Sequence, residues 1–149
     1  MNKFSCVGLD NPKFNSNIGA AMRAASCYNV NMMGISGNRS VKSIKSIPTN
    51  THNTQRNIPI LRVNDLKTII PYDCVPVAVE LISPAQSIIN YIHPDRAFYI
   101  FGAEDTTLGN RVLSWCRDVI YIPTNDCMNL AATVNVVLYD RLLKERLNK

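Results

Sequence analysis

No run of about 18 uncharged apolar residues occurs in the chain, so a membrane-spanning helix is not expected. Met1 to Cys6 carries one charge, Lys3, and leads straight into Val7-Gly8-Leu9, without the apolar run and small-residue cleavage site of a secretory signal. Cysteine is sparse and widely spaced: the 5 thiols, Cys6, Cys27, Cys74, Cys116 and Cys127, are an odd number with no Cys-x-x-Cys pair. A disulfide framework and a zinc site are therefore not expected, and reduced thiols in a cytoplasmic protein are. Glycine-rich phosphate loops of the dinucleotide or P-loop type are missing, which argues against a nicotinamide enzyme or an ATPase. His52 and His93 stand too isolated to point to a metal. The most informative absence is of acid. Between Asp10 and Asp65 there is no carboxylate, while Lys13, Arg23, Arg39, Lys42, Lys45, Arg56 and Arg62 all fall in that span. Such segregation points to a polyanion as partner.

What remains is ordinary in size. A chain of 149 residues, 46% apolar, buries one core and is read as one domain with no separate RNA-recognition module. A formal charge of +5 favours nucleic acid or an anionic surface over a cationic partner.

Strands and helices alternate along the pattern. Cys6 to Leu9 reads as a first strand, Ile18 to Tyr28 as a helix capped by Asn17, and Val30 to Ile35 as a second strand. Residues 38 to 60 read as a short helix or turn and a basic loop. Asp65 to Ile70 gives one or two helical turns, Cys74 to Leu81 a buried strand, and Ser83-Pro84 starts a short helix running to about Tyr91. Ala97 to Phe101 is the next strand, Leu108 to Cys116 a helix, and Val119 to Ile122 a strand stopped by Pro123. The last helix is the clearest, with Leu130, Val134, Val137, Leu138 and Leu142 on one side before a mixed-charge tail. The expected class is α/β, a mostly parallel sheet flanked by helices, whose ligands collect beyond the carboxyl ends of the strands.

Three polar clusters are expected there. Asn17, Gly19 and Arg23 place an amide at a helix start and a guanidinium roughly 9 Å further along the helix; the planar donors of Arg23 suit a phosphate. The bland reading is a cap, a packing glycine and a surface arginine, but Ala20, Ala24 and Cys27 leave Arg23 on a small apolar face where a charge needs a partner. Phe101-Gly102-Ala103-Glu104 lets a ligand approach the backbone at Gly102 and offers Glu104 as an acceptor. The paired negative charges of Glu104 and Asp105 call for a cationic neighbour such as Arg23 or a positively charged ligand. Asp126-Cys127-Met128-Asn129 precedes the last helix: Asp126 or Cys127 would cap it, and Asn129 would hydrogen-bond backbone or ligand.

In order and spacing these clusters resemble the SpoU (TrmH-like) class of the SPOUT superfamily, the knotted RNA methyltransferases. The resemblance runs from Asn11 to about Leu142. The family's Asn-x-Gly-x-x-x-Arg is matched by Asn17, Gly19 and Arg23, its Phe-Gly-x-Glu by Phe101, Gly102 and Glu104, and its Ile-Pro pair leading to Ser-Leu-Asn by Ile122-Pro123 and Cys127-Met128-Asn129. The resemblance implies a C-terminal deep trefoil knot, a homodimer, and methyl transfer from S-adenosylmethionine to a ribose 2′-hydroxyl of structured RNA, tRNA or rRNA. It implies catalytic or site-shaping roles for Arg23, Asn17, Glu104 and Asn129, and a cofactor pocket formed by Glu80, Leu81, Gly102, Ile122, Cys127, Met128 and Leu130. Arg39, Lys42, Lys45, His52 and Arg56 are the expected RNA contacts. The chain departs from the family pattern at Asp105 and Thr107, where glycines are usual, and at Cys127, where serine is usual.

Arginine is a poor base, so proton removal from the hydroxyl would be shared with a substrate phosphate oxygen. The alternative reading is a noncatalytic RNA-binding homodimer that retains the fold; an α/β enzyme acting on a small phosphorylated metabolite is a third.

Overall fold

The computed structural model describes residues 3–40, 46, 47, 49 and 53–149. Seven strands form one sheet: β1 (Phe4–Leu9), β2 (Met32–Ser36), β3 (Ile60–Val63), β4 (Val75–Val79), β5 (Gln86–Ser87), β6 (Arg96–Phe101) and β7 (Asp118–Tyr121). Their order across the sheet is β3-β2-β1-β6-β4-β7-β5. Every pairing among the described residues is parallel. Among the described residues three α-helices accompany it: α1 (Asn15–Cys27), α2 (Asn110–Leu113) and α3 (Leu130–Leu147).

The central strand β6 is apolar at every position from Ala97 to Phe101 because both faces of the sheet are covered there. Its side chains alternate between two cores. Tyr99 and Phe101 join Val7, Leu9 and the inner faces of α1 (Ile18, Ala21, Met22, Ala25) and α3 (Leu130, Val134, Val137, Leu138). Phe98 and Ile100 join Cys6, Ala78, Leu66, Leu108 and Val112 on the opposite face. Each of the large aliphatic side chains buried here contributes roughly 1.5–3 kcal/mol by leaving water.

Several expected boundaries shift. The predicted helix over Ser83–Tyr91 is replaced by the two-residue strand β5 and a 3-10 turn over Ile88–Asn90, because Gln86 and Ser87 pair with Ile120 and Tyr121 of β7. The helix expected over Leu108–Cys116 shrinks to α2. Helix α1 starts at Asn15, and the residue before it, Phe14, makes no side-chain cap, so Asn17 lies inside the helix and is not its cap. On α3 Leu142 is only half-buried, whereas Arg141 is buried. The Arg141 guanidinium donates to the carbonyls of Pro94 and Asp95 at 2.6 and 2.8 Å, to Tyr99 Oη at 3.1 Å, and pairs with Glu145 at 3.0 Å. Hydrogen bonding on all sides makes that buried charge tolerable and docks α3 onto the start of β6.

The register decides where the site lies. Leu9, Phe101, Val79 and Ile120 stand side by side across β1, β6, β4 and β7. The segments that follow these strands therefore leave the sheet at one level and meet one another, although they lie far apart in sequence.

Candidate functional site

The segments after β4, β6 and β7 enclose a cavity of about 410 Å³. Glu80, Leu81, Gly102, Ile122, Cys127, Met128 and Leu130, the seven residues of the expected cofactor pocket, all line it. So do Val79, Tyr121 and Thr133, which the motifs did not single out, and Phe101, which opens the second motif. The missed residues are the strand-terminal neighbours of the motifs and one residue a turn into α3, so a strand-end position next to each motif is the signal that would have found them.

Glu104 is the junction of the three clusters. Its carboxylate accepts from the backbone N–H of Lys13 (2.9 Å) and of Phe14 (3.3 Å) and from Asn17 Nδ2 (2.8 Å). Burial opposes ionisation of Glu104 most strongly, but these donors outweigh it and hold the carboxyl below its ordinary range. Asn17 Oδ1 in turn accepts from Asn129 Nδ2 at 3.0 Å. Asn129, not Asp126 or Cys127, caps α3: its Oδ1 accepts from the N–H groups of Ala131 and Ala132 at 2.9 and 3.2 Å. Asp126 accepts instead from the N–H of Cys127 at 2.7 Å. One chain of side-chain bonds thus ties the start of α1, the segment after β6 and the start of α3.

Glu80 is also engaged through both oxygens, by the N–H groups of Leu81 (2.9 Å) and Leu108 (2.8 Å), which fixes the wall between the segments after β4 and β6. Glycines divide by role. A Cβ on Gly19 would collide with Thr49 Oγ1 and lie 2.8 Å from Ile47 Cγ2, so this glycine is required by the packing of Ile47 and Thr49 on α1. At Gly102 the nearest atoms, Leu108 Cγ and Thr106 O, are 3.4 Å from the same position, so packing does not demand a glycine beside the cavity.

The cation expected for the Glu104-Asp105 pair is not Arg23. Asp105 takes a two-pronged contact from Arg39, at 2.9 and 3.0 Å, and lies 3.7 Å from Lys13 Nζ. The Arg39 bond holds its carboxyl low. Arg39 also donates to the carbonyl of Asn11 at 2.7 Å, so much of this predicted RNA contact is spent within the chain. Arg23 is exposed on α1, makes no hydrogen bond or ion pair with the described residues, and does not line the cavity. Arg56 is exposed at the end of a 3-10 turn, Thr54–Arg56; Lys42, Lys45 and His52 lie outside the described residues.

The volume falls in the range of about 300–1,000 Å³ usual for small-ligand pockets. Apolar side chains from Val79, Leu81, Phe101, Ile122, Met128 and Leu130 suit a flat aromatic and aliphatic ligand, while Glu80, Glu104, Asp105 and Asp126 ring the same space with negative charge inside a basic protein. That donor set fits a cationic sulfonium ligand such as S-adenosylmethionine. Among the described residues no group of three or more His, Cys, Asp or Glu side chains is placed to hold a metal, and no helix is long and apolar enough to cross a membrane.

Fold and site together define a parallel α/β protein with a small-ligand cavity at the carboxyl ends of its strands. Residues 5–139 match the SpoU rRNA Methylase family, and the chain belongs to that family. Among solved structures it is similar to the SpoU methyltransferase AviRb from Streptomyces viridochromogenes, at 16% identity and a TM-score of 0.86, with 100% of this chain and 62% of that one covered. An AdoMet-bound rRNA methyltransferase from Sinorhizobium meliloti gives 18% identity and a TM-score of 0.83, covering 97% of this chain and 57% of that one. A TrmH/SpoU tRNA modifying enzyme from A. aeolicus gives 16% and 0.84, covering 99% and 78%. The chain thus spans about three fifths of the length of the first two. At these identities the likeness establishes the fold, a parallel sheet flanked by helices with the trefoil knot of that fold in its C-terminal part. No curated protein sequence matches significantly.

Proposed function

We propose that the 149 residues act as one SpoU-type domain, an RNA (ribose-2′-O)-methyltransferase using S-adenosylmethionine on tRNA or rRNA in the cytoplasm. The observation that carries this reading is the linked set Glu104–Asn17–Asn129 at the edge of a cavity lined by all seven residues expected of the cofactor pocket. The bound cofactor would supply an electrophilic methyl group. Glu80, Gly102, Ile122 and Met128 would hold it, and Glu104 and Asn129 would keep the surrounding segments in register so that the hydroxyl meets the methyl in line.

A homodimer is part of the reading. Arg23 does not line its own cavity, and α3 exposes an apolar stripe of Val136, Tyr139, Leu143 and Leu147 that no element among the described residues covers, Tyr139 being 54% and Leu147 74% exposed. A second copy docked on that stripe would cover it, and the family resemblance implies that one subunit's Arg23 then serves the other's cavity. The exposed Arg56 and the basic span would then take the RNA backbone, with affinity falling as salt rises.

The test is methyl transfer from radiolabelled S-adenosylmethionine to bulk tRNA and rRNA, with mass spectrometry to place the methyl on ribose. Arg23→Ala should lower the rate by about 100-fold or more while leaving cofactor affinity intact; an unchanged rate would remove Arg23 from the mechanism. Binding of both ligands with no transfer would leave the noncatalytic RNA-binding homodimer.

A further inference from the structure

Phe14 is the residue the fold explains least. It occupies the cap position of α1, where Ser, Thr, Asp or Asn satisfies the first free N–H groups, and it makes no cap bond. It does not serve packing fully either, since 49% of it is exposed. Yet its backbone is held firmly at the site, its N–H donating to Glu104 Oε1 beside the Asn17 amide. A half-exposed aromatic ring is thus carried on a backbone bonded to Glu104, which itself lines the cavity. Lys13 Nζ lies 5.2 Å from the centre of that ring and 3.7 Å from Asp105. Because Arg39 already engages Asp105 through two short bonds, one carboxylate faces two cations, and the ammonium of Lys13 is left with positive charge in excess.

We propose that Phe14 is a stacking platform for a base of the RNA substrate, with Lys13 taking the adjoining phosphate. This rests on the cavity being the methyltransferase site and adds to it the surface that seats the nucleotide beside that site. A flat ring next to a spare ammonium matches a nucleotide, whose base and phosphate lie on neighbouring groups. It also supplies a base contact within a basic span otherwise poor in aromatics.

The test compares Phe14→Leu, which keeps bulk and polarity but has no π-face, with Phe14→Trp, which keeps the face. Both retain the backbone bond to Glu104. Binding of fluorescein-labelled bulk tRNA and rRNA is measured alongside calorimetry with S-adenosylmethionine and sedimentation. Phe14→Leu should weaken RNA binding about 5- to 140-fold, the equivalent of one stacked base. Phe14→Trp should bind RNA within about threefold of wild type, with its indole fluorescence quenched by RNA beyond the signal that Trp115, the single native tryptophan, gives in Phe14→Leu. Cofactor affinity should stay the same in both. Equal RNA affinity in all three proteins, equal losses in both variants, or a dimer lost only in Phe14→Leu would overturn the proposal. If wild type transfers no methyl while the leucine variant still binds RNA more weakly, the enzymatic reading fails and the stacking surface stands.

Discussion

Replacing Asn129 separates two duties that one side chain performs. In Asn129→Ala the cap of α3 is lost, at about 0.5–2 kcal/mol, and so is the bond to Asn17, a neutral side-chain pair of about 0.5–1.5 kcal/mol. The expected sum is about 2 kcal/mol, which for a chain of this size lowers the melting temperature by about 4–8 °C. Asn129→Asp keeps the acceptor for Ala131 and Ala132 and places a negative charge at the helix start, where it is favoured. It cannot donate to Asn17 Oδ1 and sets two acceptors face to face. The aspartate variant should therefore recover most of the stability yet loosen the Asn17–Glu104 tie. Urea or thermal unfolding at fixed protein concentration measures the first effect and calorimetry with S-adenosylmethionine the second. If Asn129→Asp is as unstable as Asn129→Ala, or if the alanine variant melts like wild type, the capping argument is wrong.

Gly19→Ala should destabilise by about 0.5–2 kcal/mol, the clash with Thr49 and Ile47 exceeding the gain in helix propensity; thermal melts check it. Gly102→Ala should melt within about 0.5 kcal/mol of wild type but bind S-adenosylmethionine at least tenfold more weakly, and normal cofactor binding would show that Gly102 does not face the ligand. Asp105→Asn removes the counter-charge of Arg39 and Lys13, so RNA should bind more tightly and the slope of log affinity against log salt should steepen by about one. His93 is packed between Tyr99 Oη at 2.6 Å and Asp140 Oδ2 at 2.8 Å. Burial lowers its proton affinity more than Asp140 raises it, which makes it a neutral ring donating to Asp140 and accepting from Tyr99. The folded state thus takes up a proton there less readily than the unfolded chain, and stability should fall as pH drops below about 6.5 toward 5. In His93→Gln that part of the pH dependence should flatten, as melts across the range would show.

The positions of β1, β2, β4, β6, β7 and α3 follow from local patterns. Runs such as Ala97 to Phe101 are apolar because both sheet faces are covered, and Val134, Val137 and Leu138 recur at helical spacing, so a window of a few residues carries the information. The three motifs are legible for the same reason, as short polar breaks at the ends of such runs, and five of the seven residues expected of the pocket, Gly102, Ile122, Cys127, Met128 and Leu130, lie in or beside them, whereas Glu80 and Leu81 do not. The partners of these residues are another matter. Glu104 bonds residues about 90 positions away, and Asn129 bonds Asn17, 112 positions away. The order β1-β6-β4-β7 brings them together, and no local window encodes it. Thus Asn17 reads as a cap in sequence, and only the packed structure turns its amide toward Glu104. Arg39 reads as a free cation until the fold sets Asp105 against it. Composition and periodicity determined which segments are buried and where the chain turns polar. Tertiary structure decided which polar groups meet, because a hydrogen bond needs two groups within about 3 Å, a distance set by the sheet and not by separation along the chain.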